Sequence, residues 1–202
     1  IYSVQTHHEM KEQFMDWIFF FYTQNIQFDS NAIQNTTYIN WDWQNSNQIT
    51  AYPEIIWGGK YEVGNLSNAI QVKYVSNLNV DYNLKISGNT NNFNVAFSIW
   101  SNPIKGGSFS TVSNETMIWI HSNGWVPTGT SLYNDGNLKG IMYVNQNWGD
   151  HSGSHPNSWT YTAVIANNDI LSGSLNLSNV LKRLVSQGYL NPNDYIEGVE
   201  LG

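Results

Sequence analysis

The sequence contains no cysteine. That excludes a disulfide scaffold, Cys-ligated zinc and a thiol nucleophile. Charge is scarce as well: only 11% of the 202 residues are charged, and 8 Lys plus Arg face 15 Asp plus Glu for a net charge of −7. A chain that grips phosphates needs a basic footprint, so nucleic acid is not an expected partner. No apolar run approaches the roughly 20 residues that span a bilayer. The run WIFFFY, Trp17 to Tyr22, is too short, so no membrane span is expected. No signal-peptide pattern is visible. Also lacking are a Gly-rich phosphate loop, a G-x-S-x-G elbow and an H-E-x-x-H pair. His151 and His155 stand four apart in the loop HSGSH with no clear third ligand, and the adjacent His7 and His8 point apart in a strand. No metal and no cofactor is expected.

Amides and aromatic rings take the place of charge. Asn is over-used, and 14% of the residues are aromatic, including 9 Trp and 12 Tyr. A core of this size rarely needs so many rings, so some are expected to line a binding surface. Few charges and many amides suit a secreted, extracellular protein. Four Asn-x-Ser/Thr sequons, at Asn35, Asn65, Asn114 and Asn176, are the glycosylation acceptors such a protein would offer.

Strand signals dominate the chain. Segments such as TTYINWDWQ, NFNVAFSIWS, TMIWIHS, GIMYVNQN and SWTYTAVIA are short, rich in β-branched and aromatic residues, and separated by Gly, Asn or Pro. NVDYNLKI alternates, with Val80, Tyr82, Leu84 and Ile86 on one face. One segment, LSNVLKRLVSQG, reads as a helix: Ser178 is the expected cap, Val180, Leu181, Leu184 and Val185 recur at helical spacing, and Gly188 marks the stop. Many short strands and one short helix predict an all-β fold, an antiparallel two-sheet β-sandwich of the jelly-roll kind. Residues 1–202 read as a single domain. The first twenty residues are not placed by the pattern and are expected to form an extended N-terminal segment.

The stretch NETMIWIHSNGW carries the candidate chemistry. As a strand it puts Thr116, Ile118 and Ile120 toward a core and Glu115, Met117, Trp119 and His121 on the other face. One reading is a solvated carboxylate on an exposed strand. The other is a sheet-floored cleft for sugar, in which C–H faces stack on indoles and polar groups meet the hydroxyls. Trp41, Trp43, Trp57, Trp100, Trp119 and Trp125 are available for such stacking.

The blocks AYPEIIWGGK (Ala51 to Lys60), NFNVAFSIW (Asn92 to Trp100), ETMIWIHSNGWVPTG (Glu115 to Gly129), SWTYTAVI and GYLNPNDYIEGVELG, in this order, resemble glycoside hydrolase family 12 from about Asn40 to Gly202. INWDWQ resembles the Trp-x-Trp strand that precedes the Y-P block there. The resemblance implies a jelly roll of two curved sheets with a concave cleft, and a secreted retaining endo-β-1,4-glucanase acting on β-glucan polysaccharide. It implies that Glu115, the Glu of E-x-M-I-W, is the nucleophile, and that a second carboxyl about 5–5.5 Å away serves as acid and base. It further implies substrate contacts from Asn25, Trp41, Trp43, Trp57, Met117, Trp119 and Pro127. The role of Glu54 in the Y-P-E block stays open between structure and cleft rim.

Three departures accompany the resemblance. The family's acid/base pattern, V-E-x-G-x-E, laid on Val199-Glu200, puts its second Glu two residues past Gly202. Glu200 then serves as acid/base only if the strand register shifts. Ser98 stands where the family places an Asp or Glu beside the nucleophile, so it offers a hydrogen bond but no charge. Gln27 occupies the Trp position of an early Asn-x-Trp motif that begins here at Asn25. These departures keep an alternative in view: a non-catalytic extracellular jelly roll, either a glycan-binding module or a structural subunit that self-associates by adding its N-terminal strand to a neighbour.

Overall fold

Period-two alternation builds most of this molecule. The computed structural model describes residues 2–7, 23–27, 38–42, 52–59, 69–88, 91–135, 138, 140–148 and 159–202. The strands are β1 (Tyr2–His7), β2 (Thr23–Gln27), β3 (Tyr38–Asp42), β4 (Tyr52–Gly58), β5 (Ile70–Gln71), β6 (Asn79–Asn83), β7 (Phe93–Asn102), β8 (Asn114–Asn123), β9 (Thr130–Asp135), β10 (Gly140–Trp148), β11 (Trp159–Ala166), β12 (Ser172–Asn176), β13 (Tyr195–Ile196) and β14 (Gly198–Leu201). The α-helix described, α1 (Leu177–Ser186), directly follows β12.

Ten strands form one large sheet, in the order β1-β4-β14-β7-β8-β11-β10-β9 with β13 and β5 attached beside β7. β6 and β12 form a small antiparallel sheet, and β2 and β3 pair with each other. The expected β-sandwich is present, with one departure from antiparallel pairing: β8 and β11 run parallel. The core lies between the large sheet and a layer made of the β6–β12 pair and α1. Val95, Phe97 and Ile99 of β7, Ile118 and Ile120 of β8, and Val164 of β11 meet Leu175, Leu177, Leu181 and Leu184 there. Burying each such side chain contributes about 1.5–3 kcal/mol. Val80, Tyr82, Leu84 and Ile86 pack against this core as one face, as their spacing predicts.

The helix cap stands two residues earlier than expected. Asn176, not Ser178, is the cap: its side chain accepts from Asn179 N at 3.1 Å and from the Ser178 hydroxyl at 2.6 Å. Ser178 is buried and its hydroxyl is shared with Ser76 O. Gly188, with φ +78°, follows the last turn in the left-handed conformation that the stop signal requires. At the other end of the chain, β1 pairs with β4 along Tyr2–Trp57 to His7–Tyr52. Residues 2–7 therefore edge the large sheet. Residues 8–22, including WIFFFY, lie outside the described residues.

Candidate active site

The face of the large sheet turned away from the core gathers the candidate residues. Cross-strand partners share a face, so the register defines the neighbourhood. Glu115 of β8 lies opposite Trp100 of β7 and Tyr161 of β11. Met117 lies opposite Ser98 and Ala163. Trp119 lies opposite Ala96 and Ile165. Ala96, Met117, Trp119, Tyr161 and Ala163 pack into a second buried cluster, against which Trp125 and Tyr143 rest. β8 is thus buried on both faces from Asn114 to His121. Glu115 is 8% exposed, so the reading of it as a solvated surface carboxylate is not what the fold delivers.

Glu200 joins this face through a local irregularity. Ile196 lies opposite Ser101, and Glu200 lies opposite Ser98. The strand therefore advances four residues while β7 advances three, which is a β-bulge at Glu197 and Gly198. Ile196, Val199 and Leu201 all point into the core. Without the surplus residue, strict alternation from Ile196 would send Glu200 there too. With it, Glu200 shares a face with Ser98 and Met117. The bulge decides which face Glu200 takes.

Both carboxylates are held by indoles. Trp159 Nε1 donates to Glu115 Oε2 at 2.9 Å, and Trp100 Nε1 donates to Glu200 Oε2 at 3.1 Å. The two indoles meet edge to face, with centroids 5.7 Å apart and planes at 63°. Phe109 contacts both rings. The Tyr161 hydroxyl donates to Met117 Sδ at 3.4 Å. The Trp119 indole N–H is buried and without a hydrogen-bond partner. Ser98, buried, stands between Met117 and Glu200. Glu54 of β4 is buried two residues from Ile56, the partner of Glu200, and so lies on the same face. Glu197, at the bulge, has both carboxyl oxygens buried and unpartnered, and burial pushes its pKa up from 4.5 to about 7.

Other expected positions fall elsewhere. Trp57 lies opposite Val199, a core residue, so it is on the other face of the sheet from Glu115, at a margin where it stays 40% exposed. It is not a partner for a ligand on the Glu115 face. His121 also leaves that face. A bulge in β8 shifts the β7 register between Val95 and Ala96, and His121 lies opposite the core residue Val95. There its Nδ1 lies 2.8 Å from Asp169 Oδ2 and its ring packs against Phe93. Asn114 is 2% exposed; its amide donates to Tyr189 O at 3.0 Å and accepts from Thr116. In the fold this amide is enclosed and fully engaged. Asn176 is exposed, with its amide oxygen used in capping α1. Pro127 is buried after β8. Asn25 and Trp41 lie on the neighbouring strands β2 and β3, opposite Asn40 and Gln24. Trp43, Asn35, Asn65, His151 and His155 lie outside the described residues.

Trp159 and Glu197 were not singled out by the sequence. The period-two reading of SWTYTAVI places Trp159, Tyr161 and Ala163 on one face, which is a usable signal. Their meeting with Glu115 depends on the parallel β8–β11 register, which no local pattern announces.

No family model matches the sequence, and no curated protein is similar to it. Solved structures are. A family 12 xyloglucanase from Bacillus licheniformis superposes with a TM-score of 0.76 at 22% identity, over 90% of this chain and 78% of that one. An endoglucanase from Rhodothermus marinus gives 0.64 at 26% identity, over 78% and 68% of the two chains. Endoglucanase 3 from Trichoderma harzianum gives 0.71 at 14% identity, over 91% and 76%. With its Y-P-E-I-I and E-x-M-I-W blocks seated in that architecture, the chain has the β-jelly-roll fold of glycoside hydrolase family 12.

Proposed function

We propose that this protein is a retaining glycoside hydrolase, an endo-β-1,4-glucanase that cuts β-glucan chains outside the cell. The observation that carries this reading is the convergence of Glu115 and Glu200 on one sheet face, each bound by an indole N–H. Two strand spacings and one two-residue step separate them, which puts their Cα atoms roughly 12 Å apart. The retaining reading requires their carboxyl groups to approach within about 5–5.5 Å. Glu115 is then the nucleophile that attacks the anomeric carbon. Glu200 protonates the leaving oxygen and next takes a proton from the water that releases the glycosyl group. Met117, Trp119 and Tyr161 form the packed floor beneath the site. The names of the similar structures, xyloglucanases and endoglucanases, support a β-glucan substrate. Scarce charge and abundant amides support secretion.

The test is release of reducing ends from soluble β-glucan, with the anomer of the first product read by proton NMR. Retention of configuration and loss of activity in Glu115→Gln and Glu200→Gln are expected. Wild-type activity in either variant, or an inverted product, overturns the assignment.

A further inference from the structure

The family position occupied here by Ser98 carries no charge, yet Glu115 and Glu200 are each engaged by a neutral donor, with Glu54 of β4 and Tyr161 of β11 the other titratable groups described on this face. An indole N–H can donate but never accept. Bound to Glu115 Oε2, the Trp159 N–H stabilises the ionised carboxylate, the form a nucleophile needs. Bound to Glu200 Oε2, the Trp100 N–H favours placing the proton of the acid form on Oε1, because Oε2 already accepts. The two indoles also constrain each other. Their edge-to-face contact at 5.7 Å, wedged by Phe109 at 6.3 Å from Trp100 and 5.7 Å from Trp159, fixes the directions of both N–H bonds together. Trp159 is 6% exposed and Glu115 8% exposed, so their hydrogen bond is shielded from water.

We propose that Trp100 and Trp159 act as a coupled pair of positioning residues, whose indole N–H groups fix the carboxyls of Glu200 and Glu115 and set both limbs of the pH–rate profile. This rests on the hydrolase reading for the roles of the two carboxylates. Neither tryptophan touches the reacting atoms; each acts through its glutamate. In Trp159→Phe the ionised form of Glu115 loses a donor, so the acid limb of kcat/KM moves to higher pH. In Trp100→Phe the ionised form of Glu200 loses one, so the alkaline limb moves to higher pH. Each limb moves by about one pH unit, the scale of a hydrogen bond to a charged group. A role in packing alone would lower activity at every pH and leave both limbs where they are.

The experiment pairs those profiles with a measurement on the unmutated protein. The indole ¹H–¹⁵N resonances of Trp159 and Trp100 are followed from pH 3 to pH 9. Each is expected to titrate with its glutamate, and the response of Trp159 should vanish in Glu115→Gln, that of Trp100 in Glu200→Gln. Indole resonances indifferent to pH, or variants whose limbs stay in place, overturn the proposal. If Trp159→Phe does not fold, the resonances of the unmutated protein decide. A wild-type protein that releases no reducing ends from β-glucan sinks the hydrolase reading instead, while the indole titration still reports whether the paired bonds exist.

Discussion

Gly58 and Gly198 lie opposite each other on β4 and β14, and neither leaves room for a β-carbon. At Gly198 such an atom would sit 2.5 Å from Gly59 O and 2.8 Å from Trp57 O. At Gly58, where φ is +102°, it would strike the carbonyl oxygen of Glu197. These glycines let β4 close against the bulge that turns Glu200 away from the core. Gly198→Ala is therefore expected to cost about 1–3 kcal/mol of stability and to remove activity out of proportion, because the bulge aims the second carboxylate. Thermal denaturation beside a β-glucan assay checks this. A variant with wild-type melting and turnover would show that the bulge tolerates a side chain.

Glu197 predicts a pH dependence of stability. Its folded pKa of about 7 exceeds the ordinary 4.5, and desolvation is the cause. Between those values the folded chain keeps a proton that the unfolded chain has released, so this group's contribution falls as pH rises from 4.5 to about 7 and then levels. Glu197→Gln removes the effect. The difference between variant and wild-type urea midpoints should grow in the variant's favour from pH 5 to pH 8. An unchanged difference would mean that the carboxyl is solvated in the folded state.

Asn114 gives a prediction in two parts. Expression in a glycosylating host leaves it unmodified, as peptide mass spectrometry would reveal, because its amide is enclosed between Tyr189 O and Thr116. Asn114→Ala costs about 1–3 kcal/mol through the partners left unsatisfied. A glycan on this residue, or a neutral substitution, contradicts the burial.

The layer under the sheet should show a clear ranking. Leu181, 1% exposed within the core, should lose about 2–5 kcal/mol on truncation to Ala. Asn176→Ala removes only the cap of α1 and should lose about 0.5–2 kcal/mol. Chemical denaturation of the two variants side by side measures the order, and a reversed order would relocate the weight of the helix from its apolar stripe to its first turn.

The sequence made the sandwich legible wherever one side of a strand was apolar. The alternation in NVDYNLKI and the helical spacing of Val180, Leu181 and Leu184 both translate directly into core contacts. Glu115, Met117 and Trp119 share a face as their spacing requires. Legibility fails where a strand carries a surplus residue. One bulge moves His121 to the core side and another moves Glu200 away from it, and neither is visible in a pattern that assumes strict alternation. Trp57 misleads for a related reason: an aromatic in an apolar strand looks like a platform until cross-strand pairing with Val199 assigns its side. Trp159 was hidden because a parallel pairing between residues more than forty positions apart joins it to Glu115.

β14 lies in the middle of the large sheet, flanked by β4 on one side and β7 on the other. Among the described residues, the β1–β4 pair is joined to the rest of the sheet through this four-residue strand. Contacts so distant along the chain form late and slowly. Capture of β14 and arrival of Glu200 on the Glu115 face are therefore one event. On the hydrolase reading, a molecule that has not captured this strand loses activity together with stability.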